Sequence, residues 1–153
     1  MNVFKTIKNL KKEGKVIGFT ASTFDLMHSG HDIMLQEAAC DCDFLIVGLL
    51  TDPTISRPDS KNKPVQSILE RWFELQAVDG VDMVIPFDTE EDLADMIKIL
   101  KPDLRFVGKE YEGQKHTGWD IKTTKIIYND RSHNYGTSQL RKRIFDAENK
   151  KKK

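Results

Sequence analysis

The sequence predicts an α/β protein built on a doubly wound, five-stranded parallel sheet. Three observations point there. Short apolar runs alternate with segments of helical spacing. Some runs are apolar almost throughout, as in strands covered on both faces. Loops rich in proline, glycine and polar residues separate the segments.

The elements follow in order. Val3, Phe4, Ile7 and Leu10 recur at helical spacing, and Gly14 stops that helix, so residues 1–14 read as an N-terminal helix. KVIGFTA (15–21) reads as the first strand, and residues 29–40 as a helix. FLIVGLL (44–50) is a second strand, and 51–64, with three prolines, is a polar loop. Helical spacing resumes over 64–78, with Pro64 acceptable in a first turn. DMVIPF (82–87) is a third strand. Thr89 caps a helix over 90–100, which Pro102 ends. DLRFVG (103–108) and KIIY (125–128) are the fourth and fifth strands. A last helix runs from Thr137 to about Ala147, and residues 148–153 form a frayed lysine tail. The 153 residues suit one domain with its core over 15–147.

Charge and composition exclude several classes. Lys plus Arg number 24 and Asp plus Glu number 24, a balance unlike the basic excess of a nucleic-acid binder. No apolar run is long enough for a membrane span or a signal peptide. Cys40 and Cys42 read as reduced thiols of a cytoplasmic protein.

The informative stretch is Thr20 to His31, T-A-S-T-F-D-L-M-H-S-G-H. It leaves the first strand and opens the first helix of the sheet, where free backbone N–H groups favour phosphate. His28 and His31, three apart, share one face. Gly30 between them leaves room for a ligand at the backbone. Two imidazoles aimed at a phosphate can stabilise charge that builds on it. The same pair would also suit a metal. The remaining histidines, His116 and His133, lie in no recognisable ligand spacing, so no metal site is expected.

The segment TFDLMHSGH resembles the T-F-D-x-x-H-x-G-H signature of the cytidylyltransferase-like nucleotidyltransferases. From about Lys15 to Ile144 the chain is similar to single-domain proteins of the glycerol-3-phosphate cytidylyltransferase kind. It also resembles the adenylyltransferase domain of heptose-phosphate enzymes. V-D-x-V-I is present at 81–85, and the family's G-D-D-W or G-G-D-Y appears as Gly108, Lys109, Glu110, Tyr111. R-T-x-G-I-S-T-T appears as Arg131 to Ser138. The resemblance implies a Rossmann-like nucleotidyltransferase fold and direct attack of an acceptor phosphate on a nucleoside triphosphate. His28, His31 and Arg131 would act on the phosphates. Thr23, Phe24, Gly30, Gly108, Glu110, Thr137 and Ser138 would bind the nucleotide. Asp25 and Arg71 would face the acceptor. Arg57, Lys61 and Lys63 stand in for the family's loop lysines, although such charges equally suit a solvated loop. Trp119 would stack on the base or pack.

The implied reaction is cytidylyl transfer from CTP to a small polyol phosphate such as glycerol 3-phosphate, with magnesium accompanying the triphosphate. Adenylyl transfer from ATP to a sugar phosphate is the alternative, and a nucleotide-binding regulatory protein without turnover is a third reading. The resemblance also implies a homodimer. Three positions depart from the pattern. Ser22 stands where glycine is common, Gly136 replaces the first serine of the S-T-T run, and Asp79 replaces an arginine of the glycerol-3-phosphate enzymes.

Overall fold

Three aspartates hold the starts of the strands together in the computed structural model, which describes residues 2–130 and 132–151. Asp43 Oδ2 accepts from Val16 N at 2.8 Å, Asp103 Oδ2 from Ile17 N at 2.8 Å, and Asp82 Oδ2 from Leu45 N at 2.8 Å. Each carboxylate thus receives an amide at the start of a neighbouring strand. Unmatched amides at a strand end are costly to bury, so these contacts fix where the strands begin.

The elements are α1 (Val3–Lys12), β1 (Ile17–Ser22), α2 (Ser29–Cys40), β2 (Phe44–Leu50), α3 (Ile68–Gln76), β3 (Met83–Phe87), α4 (Glu90–Leu100), β4 (Leu104–Gly108), β5 (Lys125–Asn129) and α5 (Thr137–Lys150), with a 3-10 turn at Lys109–Tyr111. The sheet has the order β3-β2-β1-β4-β5, and every neighbouring pair is parallel. Ile17 lies opposite Phe44, Gly18 opposite Leu104, Ile46 opposite Met83 and Leu104 opposite Lys125. The order reverses between β1 and β4. Ligands of open α/β sheets lie beyond the carboxyl ends of the strands at that switch point.

Alternation along the strands divides the core. Ile17, Phe19 and Ile46 face Ile7 of α1 and Leu93, Ile97 and Leu100 of α4. Leu45, Val47, Leu49 and Phe106 face Leu35 and Ala38 of α2 and Leu75 of α3. Both faces of the sheet are therefore covered, which is why β2 can be apolar at successive residues. No helix among the described residues is long and apolar enough to cross a membrane.

Two boundaries differ from the sequence expectation by three residues or more. The helix expected from Pro64 begins instead at Ile68, behind Ser67. Ser67 and Glu70 form a reciprocal capping box, while the amides of Val65 and Gln66 are held outside the helix, in a bend, by Asp25. The last helix continues to Lys150, through residues expected to fray. An i,i+4 ion pair between Lys142 and Asp146 at 3.2 Å supports its exposed length.

One side chain joins the carboxyl ends of β1 and β2 to the loop before α3. Arg71 is 1% exposed. Its Nη1 donates to Thr23 O and Leu50 O, both at 2.8 Å, its Nη2 to Thr51 O at 2.6 Å, and its Nε to Gln66 O at 3.3 Å. Burial lowers its pKa, opposed by nearby Asp25 and Asp52. The expected role of Arg71 at the acceptor is therefore corrected. Its donors are consumed by backbone carbonyls, and it does not line the cleft.

Arg71→Ala removes a buried cation and leaves four carbonyls short of a donor. The expected loss of stability is about 3–5 kcal/mol. Urea unfolding of the variant and the parent protein measures it; a change below about 1 kcal/mol would contradict this account of the side chain.

Candidate active site

A cleft of about 1030 Å³ opens above the carboxyl ends of β1 and β4. That is at or just above the top of the range of about 300–1,000 Å³ usual for small-molecule sites. Its floor is the turn after β1, and the start of α5 and the segment after β4 form its walls.

The turn is tightly specified. Phe24 and Leu26 have φ of +49° and +52°, a region that costs side chains other than glycine free energy. Asp25 between them is 4% exposed. Its carboxylate accepts from Val65 N and Gln66 N at 3.0 Å and pairs with Arg141 Nη2 at 2.7 Å. Leu26 N donates to Gln66 Oε1 at 2.6 Å. Asp25 borders the cleft, and its oxygens are engaged by the loop before α3 and by Arg141, so it orients the loop.

The turn delivers His28 to the N-cap of α2. Its Nδ1 accepts from Gly30 N at 3.1 Å, and its Nε2 lies 3.2 Å from Thr137 Oγ1. With Nδ1 accepting, this hydrogen-bond pattern assigns the proton of a neutral ring to Nε2. The rings of His28 and His31 stack with centroids 3.9 Å apart. Phe24 lies 5.3 Å from the His31 ring and is 1% exposed. Phe24 borders the cleft, and its buried ring supports His31 from the core side. Gly30 is needed for a close approach, since a Cβ there would lie 2.6 Å from Tyr135 O and 3.1 Å from the His133 ring. The neighbour that requires the glycine is thus the segment leading to α5.

That segment ends in an unusual helix start. Asn2, His28, Ser67 and Thr89 each cap α1, α2, α3 and α4 with a side-chain acceptor, whereas Gly136 gives α5 none. Thr137 and Ser138 line the cleft at this start, where amides and the helix dipole favour phosphate. The Thr137 hydroxyl receives His28 and lies 3.5 Å from Asp25 O.

The other expected residues divide. Thr23, Gly108, Glu110, Arg57 and Lys61 line the cleft. Arg57 pairs with Glu90 at 3.4 Å, so its charge is partly answered within the protein. Lys63 is exposed between Asn62 and Pro64, which line the cleft, and its carbonyl accepts from Arg141 at 3.0 Å. Asp79 is exposed before β3, at the opposite end of the sheet, and cannot read the acceptor. Trp119 lines the cleft 49% exposed, with Lys115 Nζ 5.7 Å from its ring centroid. Arg131 lies outside the described residues.

Three residues at the site escaped the sequence reading. Arg141 pairs with Asp25 one turn into α5. His116 lines the cleft, its Nε2 3.2 Å from the Tyr128 hydroxyl. Arg105 reaches the cleft from β4 and donates to Thr117 O. A charged residue inside the apolar run DLRFVG was the available signal for Arg105.

The site thus combines a parallel sheet, a histidine pair at one helix start and an uncapped helix start facing it, on a Rossmann-like nucleotidyltransferase fold. The chain belongs to the cytidylyltransferase-like family, whose profile matches residues 19–143. It is 35% identical over 127 residues to the bifunctional protein HldE of Wolinella succinogenes, covering 82% of this chain and 27% of that protein. It is 38% identical over 115 residues to the HldE of Sulfurimonas denitrificans, covering 75% and 24%. The chain thus spans about a quarter of the length of these curated relatives. In structure it resembles the lipopolysaccharide core biosynthesis protein of Thermoplasma volcanium, with a TM-score of 0.64 at 23% identity over 78% of this chain and all of that one. That likeness confirms the Rossmann-like nucleotidyltransferase fold.

His116 yields a pH prediction. Its pKa lies below the ordinary value, mainly through burial. The unfolded chain then binds the proton more readily, so this contribution to stability is present above a pH of about 6.5 and lost as pH falls through the lower folded value. Thermal unfolding between about pH 7.5 and 5 should show a smaller acid-side decline in His116→Gln than in the parent. Parallel curves would contradict the assignment.

Proposed function

We propose that this chain transfers an adenylyl group from ATP to a phosphorylated sugar, releasing pyrophosphate. The observation that carries nucleotidyl transfer is the His28–His31 stack joined to Thr137 at the uncapped start of α5. An acceptor phosphate oxygen would attack the α-phosphorus in line. A new P–O bond forms, and the bond to the bridging oxygen of pyrophosphate breaks. His28 Nε2–H would exchange Thr137 for an α-phosphate oxygen, with His31 beside it. The first-turn amides of α5, with Thr137 and Ser138, would hold the leaving pyrophosphate. The acceptor phosphate is already ionised, so positioning and charge stabilisation suffice.

Among the described residues no three His, Cys, Asp or Glu side chains converge on one point. A magnesium ion would arrive on the triphosphate oxygens, needing few protein ligands, and would neutralise phosphate charge there.

The preference for ATP rests on relatedness. The relatives above are HldE proteins rather than glycerol-3-phosphate enzymes. They favour the resemblance to heptose-phosphate adenylyltransferase domains over the CTP and glycerol 3-phosphate expectation. Asp79 no longer bears on the choice, because it lies away from the cleft. Glu110, at the cleft beside Gly108, could accept from the exocyclic amino group of either base.

Pyrophosphate release from each of four nucleoside triphosphates, across sugar phosphates and glycerol 3-phosphate, tests the reading. ATP with a sugar phosphate should give the highest catalytic efficiency. A higher value for CTP with glycerol 3-phosphate would restore cytidylyl transfer. No release with any pair would leave a binding protein. In the active pair, His28→Ala and His31→Ala should each lower turnover by about a hundredfold or more, as losing an oxyanion-type donor does. Near-parental rates in both variants would remove the histidines from the chemistry.

A further inference from the structure

Two arginines of this chain are almost equally buried, and the protein treats them differently. Arg71, 1% exposed, gives its donors to four backbone carbonyls. Arg105, 6% exposed, makes one hydrogen bond among the described residues, to Thr117 O. No carboxylate among them lies within ion-pairing distance of it, Glu90 acting on it only through its field. A guanidinium carries five N–H donors, and a buried charge is costly unless it is paired and hydrogen-bonded. Burial lowers its pKa to about 10, so it remains a cation at neutral pH.

The fold gives this cation a fixed place. Phe106 packs on the α2 and α3 face of the sheet, so Arg105 next to it projects to the α4 face. Gly118, at φ +73°, lies over the guanidinium, and a Cβ there would come within 2.8 Å of Arg105 Nη1 and 3.1 Å of Ile97. The Thr117 hydroxyl donates to Glu90, and Glu90 pairs with Arg57. Arg105 is thus packed from below and overlaid by backbone, yet it lines the cleft.

The other candidate cations are less suitable. Arg71 is saturated, Arg57 is paired, Lys63 is outside the cleft and Lys61 is an exposed loop side chain. The histidine pair and the α5 start are on the α2 side, where the triphosphate is assigned.

We infer that Arg105 is the anchor for the acceptor's phosphate, a binding and specificity-determining residue on the α4 side of the cleft. The identity of the anion rests on the nucleotidyl-transfer reading. A planar guanidinium with spare donors suits a phosphate group held by two parallel hydrogen bonds.

The test uses Arg105→Met and Arg105→Lys. Each protein is saturated with α,β-methylene-ATP, which occupies the nucleotide site, and inorganic phosphate is then titrated by calorimetry. Phosphate affinity should fall by about tenfold or more in Arg105→Met, with an intermediate loss in Arg105→Lys, as expected when a charge-assisted pair is removed or loses its fork. Affinity for the nucleotide analogue should stay within about twofold, and in turnover the acceptor KM should rise more than kcat falls. Parental phosphate affinity in either folded variant overturns the inference. So does an equal loss of nucleotide and phosphate binding in Arg105→Met, which would make the residue structural. If Arg105→Met does not fold, Arg105→Lys decides by the same criterion. If the parent protein binds no nucleotide analogue, the functional reading fails separately, and phosphate titrated alone still decides whether Arg105 is an anion site.

Discussion

The buried guanidinium of Arg71 is the constraint on which the site depends. It ties the carbonyls of Thr23, Leu50, Thr51 and Gln66 to one planar group. Those carbonyls belong to the ends of β1 and β2 and to the loop that precedes α3. Asp25, just beyond Thr23, supplies the opposite charge and gathers Val65, Gln66 and Arg141. Between these anchors the turn holds two non-glycine residues at positive φ, at a cost of about 1–3 kcal/mol each. That cost is met because the alternative would strand buried polar groups. The result is a rigid turn that presents His28 to the start of α2 and His31 above Phe24.

Much of the fold was legible because each element carries a local signal. β2 is apolar across its length, Thr89 stands three residues before Asp92, and Lys101 closes α4 ahead of Pro102. The start of α3 was not legible from periodicity. Residues 64–66 fit the helical pattern, but a carboxylate forty residues earlier binds the amides of Val65 and Gln66 and outweighs propensity. The 3-10 turn at Lys109–Tyr111 carries no period of its own and was missed for that reason.

The site was legible in part. The H-x-G-H spacing brings two histidines together at the start of α2, where their rings stack, because residues three apart share a helix face. The roles of charged residues were harder to read. Arg71 and Asp25 sit near the cleft in sequence terms, yet the protein uses them on itself. Arg105 lies in an apolar strand and looks like a packing exception. An arginine that braces a loop and one that faces a cleft look alike in sequence. Only the count of carbonyls around each guanidinium separates them, and that count is set by packing between distant segments.

The helix starts show the same division between internal and external use of polar groups. Four helices close their first turns with Asn2, His28, Ser67 and Thr89, the side-chain acceptors that helix starts normally recruit. His28 does so with one ring nitrogen only, which leaves the other directed to Thr137. α5 begins at Gly136 without a side-chain cap. A serine there, as in the related sequence pattern, could turn inward and compete for the same amides. With glycine, the first turn of α5 keeps its partial positive charge for the cleft. The absence of that hydroxyl is thus compatible with phosphate binding by backbone. Under the proposed reaction, the leaving group would then be held by the first-turn amides of α5 beside Thr137 and Ser138, opposite the His28 nitrogen directed to Thr137.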